Sequence, residues 1–304
     1  MMLAVSAALL AGFAVTLLGP VSSWLARAEW VERAPRAAVF LWQCTGLAAV
    51  LSGIGAGLAL AVSRYQSGFV GGTRELVDSI FSGQPLQGLG LYDALGLTLA
   101  ADLMIVLCVV FGVVTMRTVR QRARHRRLLD LVTHETPEYP GTEFLADRRA
   151  VAYCLPGLRP RIVLSEGTRT ILDRNEMWAV IHHERGHAHE RHGLVMFPLL
   201  SFKNAFGWMP YARYAPASIA LLLEMAADDF ASRRAGRYPL AAALVEMSSA
   251  GWAPSCGLAL TGSGVRRRVS RLLNTRPASS RTAALALGLG LGALLVPLCA
   301  AVVV

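Results

Sequence analysis

Five of the seven histidines fall between residues 182 and 192. Within that cluster, His183-Glu184-Arg185-Gly186-His187 sets two imidazoles four residues apart, with a carboxylate beside the first. Residues four apart share one face of a helix, so both imidazoles can reach a single zinc ion. Glu184 can take a proton from a water that the metal polarises and pass it to a leaving amine. The preceding Met177-Trp178-Ala179-Val180-Ile181 is apolar and would bury the helix's other side, and Gly186 leaves room beside the metal. A histidine-rich surface helix is the plainer reading of these residues, but it gives Glu184 no task.

A catalytic zinc site usually takes three protein ligands and keeps one position open. The metzincin pattern needs glycine three residues after the second histidine. Here that position is Glu190, which excludes the class. Glu190 shares the ligand face but sits about 10 Å along the axis from His183, at ~1.5 Å rise per residue. Glu224 is the better third ligand. Asp228, one turn on, could accept a hydrogen bond from a ligand imidazole and fix its orientation. Leu221, Leu222, Leu223 and Phe230 predict burial of both carboxylates, and buried charge needs a partner. The expectation is one zinc ion held by His183, His187 and Glu224, with Glu184 as base and Asp228 orienting a ligand. His182, His189 and His192 point to other faces and read as exposed or supporting. Asp229 reads as outside the site. Arg233 or Arg234 could stabilise an oxyanion, against the plainer role of surface charge.

These residues need helices to carry them. Asp173 with Glu176 fits a capping box opening a helix that runs to about His192. A second helix, about Ala217–Arg234, carries Glu224. Between them, Gly193–Leu223 is apolar but interrupted by Pro198, Lys203, Pro210, Arg213 and Pro216; it reads as a helix packed at a membrane surface, against a buried helix, a membrane-apposed hairpin or an extra pair of short membrane entries. Ala150–Cys154 and Arg161–Ser165 read as strands around the turn Pro156–Pro160. The second could act as an edge that pairs with substrate backbone. Arg117–Leu131 or Gly193–Leu223 could cover the site.

Composition places all this at a bilayer. The 304 residues are 54% hydrophobic and 16% charged, with mean hydropathy +0.45, against roughly 25% charged in soluble domains. A span needs about 20 apolar residues. Four stretches qualify: Met1–Val21, Ala37–Val62, Ala94–Met116 and Thr282–Val304. No Lys or Arg precedes Arg27, so the first reads as a retained span rather than a signal peptide. Arginines follow the positive-inside rule: Arg27, Arg33 and Arg36 between spans one and two, Arg117 to Arg127 after span three, and Arg266, Arg267, Arg268, Arg271, Arg276 and Arg281 before span four. The N-terminus is then outside and the catalytic region cytoplasmic. Three parts result: 1–116 with three spans, 117–281 as the peptidase domain, and 282–304 as the last span. The fold class is a mainly α membrane protein with a cytoplasmic α+β domain. The net charge of +10 is explained by topology, so no direct nucleic-acid binding is expected. Cys44, Cys108, Cys154, Cys256 and Cys299 form no CxxC pair and read as free thiols. Asp102 within a span is costly and is expected to face a polar cavity, pair with an arginine, or serve packing. Gly53-xxx-Gly57 and Gly288-xxx-Gly292 permit close helix contact and leave homo-oligomerisation open.

Taken together, Ala152-Tyr153-Cys154-Leu155-Pro156-Gly157, Pro160-Arg161-Ile162-Val163-Leu164-Ser165, the His183–His187 motif and the Glu224–Asp228 element resemble the BlaR/MecR membrane zinc peptidases over nearly the whole chain. The resemblance implies a gluzincin-type domain in the bacterial plasma membrane. It maps His183, His187 and Glu224 to zinc ligands and Glu184 to the base. It also implies signal transduction in an antibiotic response: the best-known members sense β-lactams outside and trigger removal of a winged-helix repressor inside. A BlaI-like protein is then the expected substrate. The sequence ends at Val304, directly after span four, so a penicillin-binding sensor domain is expected to be missing. An HtpX-type quality-control protease shares HExxH and a later glutamate ligand. A receptor with a structural zinc would have no use for Glu184, and a transporter is disfavoured by the lack of an internal repeat.

Overall fold

Apolar runs long enough to cross a bilayer become the frame of the molecule. In the computed structural model, which describes residues 2–65, 67–82, 90–251, 262–274 and 280–303, four helices are long and apolar enough to do so. Cys256 and Arg276 lie outside the described residues.

The first rod is α1 (Met2–Thr16) and α2 (Ser22–Leu25), joined through a π-turn at Leu17–Val21 that contains Pro20. Proline cannot donate into the helical ladder, and a π-turn is a common place to absorb that defect. α3 (Pro35–Ala61) opens on Pro35, where the missing N–H costs nothing. It is the central span, packed by α1, α5 and α12. A short helix, α4 (Gly68–Phe81), follows. α5 (Leu91–Val132) runs 42 residues without a break, so the expected extension beyond span three is one continuous rod. α12 (Ser280–Val303) closes the frame.

The expected Gly53-xxx-Gly57 contact is made against α5, where a Cβ on Gly53 would meet Leu103 at 3.1 Å. A Cβ on Gly57 would sit 2.8 Å from the Gly96 carbonyl oxygen, so α3 and α5 cross backbone to backbone. Gly288 and Gly292 have nothing within 4 Å; the α12 contact is made by Gly290 against Phe40 and Cys44. Asp102 corrects its expectation. It is exposed on α5, and among the described residues no arginine pairs with it.

Beyond the spans, four short strands form one sheet of order β1-β2-β4-β3. They are β1 (Thr133–Glu135), β2 (Glu143–Leu145), β3 (Ala152–Leu155) and β4 (Arg161–Ser165). β3 and β4 match the expected pair, Tyr153 opposite Val163. β4 also pairs in parallel with β2, so it is an interior strand; the edge strands are β1 and β3. Phe144, Ile162 and Leu164 pack under Met177, Val180 and Ile181 of α7 (Arg174–His189), with Ala243 and Met247 of α10 (Arg237–Ser249).

The capping box forms as read. Asp173 accepts from the Asn175 and Glu176 backbone at 2.7 and 2.8 Å, and Glu176 accepts from the Asp173 N–H at 2.9 Å. The helix ends three residues sooner than expected, at His189, and Arg191 turns the chain with φ 51°. Segment 193–223 resolves into α8 (His192–Phe206) and the start of α9 (Pro210–Ala235). α9 starts seven residues before the expected Ala217. Leu199, Phe202, Tyr211, Ala215, Ile219 and Leu222 pack on Leu25, Ala38 and Trp42 of the first two spans. That burial sustains Pro198 and Pro216 inside helices, where each costs about 3 kcal/mol.

Candidate metal centre

α7 and α9 lie against each other at Gly186, whose Cβ would meet Ala227 and Phe230 of α9 at 3.2 Å. The glycine makes room for the partner helix rather than for a metal. This contact brings His183, His187 and Glu224 together; one donor atom from each lies within 4.8 Å of the others, and all three are buried. His187 Nε2 is 3.1 Å from His183 Nε2. Glu224 presents Oε2 to His183 Nε2 at 3.3 Å and Oε1 to His187 Nε2 at 3.4 Å. Zinc bonds of about 2.0–2.2 Å at tetrahedral angles place ligand atoms roughly 3.3–3.5 Å apart. The donor set and its spacing therefore fit one zinc ion, and Glu224 Oε1 has no hydrogen-bond partner of its own.

Asp228 sits behind the first imidazole, its Oδ1 3.0 Å from His183 Nδ1. Glu184 is fully buried, and the Cys154 backbone lies against its carboxylate. It borders a cavity of about 10 Å³ that is also lined by Val180, Leu240, Ala243, Leu244 and Met247, close to the space one water needs. α10 thus covers the Glu184 side of the site.

The residue that sequence reasoning missed is Arg268, on α11 (Gly262–Leu273). Read as one of the topogenic arginines, it is completely buried. Its Nη2 and Nε donate to Asp228 at 2.7 and 2.8 Å, and Nη1 lies 2.9 Å from Glu224. Its neighbours stay outside: Arg271 pairs with Asp229, and Arg267 with Glu32. A signal was present, because Val265, Arg268 and Leu272 fall on one helical face. Arg233 and Arg234 are both exposed, Arg234 stacked on Phe230, so the oxyanion assignment loses its structural basis. His192 is buried and touches His187; His182 stacks near Trp178 and His189 near Phe230. Glu190 turns to Arg36.

Burial dominates the electrostatics. It pushes Glu184 up to about 7, a value suited to exchanging a proton near neutrality. It takes His187 down to about 3, which keeps that imidazole neutral. Burial would also lower His183, but bonds to Asp228 and Glu224 raise it to about 9. Burial would raise Glu224, but the charge of Arg268 and the bond to His183 hold it below the usual carboxylate range.

Comparison with known proteins adds one match. The family model described as peptidase family M48 covers residues 118–286. No curated protein and no solved structure matches the chain.

Proposed function

The chain belongs to peptidase family M48, a zinc-dependent family, and on that premise we propose that it cleaves peptide bonds of a cytoplasmic protein at the membrane. Two imidazoles and a carboxylate at zinc-ligand spacing, beside a buried glutamate, carry this reading.

In the proposed site His183, His187 and Glu224 hold one zinc ion, which supplies Lewis acidity and an acidified water when bound. Glu184 takes a proton and returns it to the leaving amine. Asp228 orients His183 through Nδ1, and Arg268 fixes Asp228. The edge strand β3, next to α7, is the element proposed to receive an extended substrate. The peptidase domain is assigned to 117–281, between the third and fourth spans, with the N-terminus outside. Arg36–Glu190 and Arg267–Glu32 tie the loop between the first two spans to the peptidase region, which supports one side for both. The partners are then the bilayer and a protein substrate; self-association is left to experiment.

Among the described residues His183, Glu184, His187 and Glu224 are all buried, with α10 over Glu184, so we infer that substrate enters after a movement. This favours regulated cleavage of a chosen target, with a BlaI-like repressor as the candidate. An HtpX-type quality-control protease is equally compatible with family membership. Digestion of a BlaI-like repressor and of a set of unfolded membrane proteins, by wild type and Glu184→Ala in nanodiscs, separates the two. One or a few cuts confined to the repressor support regulation. Broad degradation of the unfolded set would replace it with quality control.

A further inference from the structure

His187 needs its Nε2 lone pair for the site, because Nε2 is the atom that faces His183 and Glu224. A neutral imidazole with a free Nε2 carries its proton on Nδ1. That proton must go somewhere in a fully buried place. Among the described residues, the ring nitrogen against it is His192 Nδ1, at 2.8 Å. His192 is itself buried and enters from the first residue of α8, just past the left-handed turn at Arg191.

If His192 Nδ1 accepts, its own proton sits on Nε2. That nitrogen lies 3.2 Å from Glu190 Oε2. Glu190 is then the end acceptor, and it is built to stay ionised: burial would raise it, but His192 and Arg36 hold it down at about 2. Arg36 donates to both Glu190 oxygens, and through Nη2 to the Ala226 carbonyl at 3.0 Å, two residues from Glu224. Along His187, His192 and Glu190 the carboxylate at the end can only accept, and this sets the direction of each proton in the series.

We propose that His192 is a positioning residue for His187: it accepts the Nδ1–H of His187, passes the orientation to Glu190 and Arg36, and so anchors the aim of one metal ligand to the start of span α3. It is the counterpart of Asp228 behind His183, but with a neutral acceptor. The two imidazoles are therefore unequal, the one backed by a carboxylate being the more basic ligand. Arg36 also bridges the helix carrying the histidines and the helix carrying Glu224, so a shift of α3 reaches both.

This inference rests on the zinc assignment, and the test separates the two. Zinc dissociation constants are measured by chelator competition on the full chain in detergent, for wild type, His192→Phe and His192→Asn. Phenylalanine keeps the ring and removes the acceptor. Asparagine keeps an acceptor at the position of Nδ1. The d–d spectrum of each cobalt-substituted protein and the thermal midpoint of each metal-free protein accompany the titration. Loss of affinity by about 10- to 100-fold in His192→Phe, with an altered cobalt spectrum, and recovery of most of that loss in His192→Asn, is the expected result. Wild-type affinity in His192→Phe would overturn the inference while leaving the site intact. Weakening in both variants alike, in step with the metal-free midpoint, would overturn it too, because His192 would then be only packing. Failure of wild type to bind zinc would instead remove the assignment on which it stands.

Discussion

Replacing Arg268 with methionine removes the charge but keeps an unbranched chain of similar reach. The guanidinium is wholly buried, bonds Asp228 at 2.7 and 2.8 Å and lies 2.9 Å from Glu224. Its loss leaves two buried carboxylates with one protonatable imidazole, His183, to offset them. Removing one partner of a buried ion pair costs about 3–5 kcal/mol. At roughly 2–4 °C per kcal/mol for a domain of this size, the metal-free midpoint should fall by about 6–20 °C. Saturating zinc changes the answer in a specific way. The metal takes over the charge of Glu224, and His183 remains with Asp228, so the same substitution should cost clearly less in the loaded protein. Arg233→Met, at an exposed position, should stay within about 0.5 kcal/mol of wild type in both states. Adding Asp228→Asn to Arg268→Met should recover part of the loss, because it removes one of the stranded charges. The assay is thermal unfolding in detergent with chelator or with excess zinc. A metal-free midpoint for Arg268→Met no lower than that of Arg233→Met would refute the reasoning, as would an equal drop in both metal states.

Other consequences are checked more simply. Glu184→Gln should keep its zinc and lose about 10²- to 10⁴-fold in turnover, the usual worth of a general base; metal analysis beside a peptidase assay tests both halves. Glu190 is held at about 2 in the fold, below its unfolded value near 4.5, so its contribution to stability is full above that unfolded value and disappears as pH falls towards 2. The gap in midpoint between wild type and Arg36→Gln should accordingly be present at pH 7 and close progressively below pH ~4.5; a gap that persists to the lowest pH at which both fold would count against the pair. Gly96→Val should loosen the span crossing, since even a Cβ there would meet the Gly57 carbonyl oxygen at 2.6 Å. Overpacking of this kind costs about 1–3 kcal/mol, readable as a lower midpoint, whereas Gly288→Val on open surface should not move it.

Much of this architecture was legible in the chain because the signals were long or chemically stringent. The spans rest on runs of about 20 apolar residues, and the Asp173–Glu176 capping box and the His183–His187 spacing on geometry that few residue types satisfy. Glu224 and Asp228 were legible because a carboxylate inside Leu221–Phe230 has few other reasons to be there. β1 and β2 are three residues each, too short to show alternation, and their absence from the reading made β4 look like an edge. Arg268 was hidden in a run of arginines whose topological meaning dominated, although its place on the Val265–Leu272 face pointed inward. His192 was hidden by the helix end at His189: the turn at Arg191 swings it back on His187, which continued helical periodicity would not do. The cover on the Glu184 side comes from residues 240–247, whose apolar pattern says that they pack but not on what.

The central claim is that two histidines and a distant glutamate hold one zinc ion for peptide hydrolysis. Zinc content and cleavage of an unfolded protein and of a BlaI-like repressor should be measured together on wild type, Glu184→Ala and Glu224→Ala. The account predicts zinc near one per chain in wild type and Glu184→Ala, with cleavage in wild type alone, and loss of both in Glu224→Ala. A wild-type protein that takes up no zinc, or a Glu184→Ala protein that still cleaves, would contradict it.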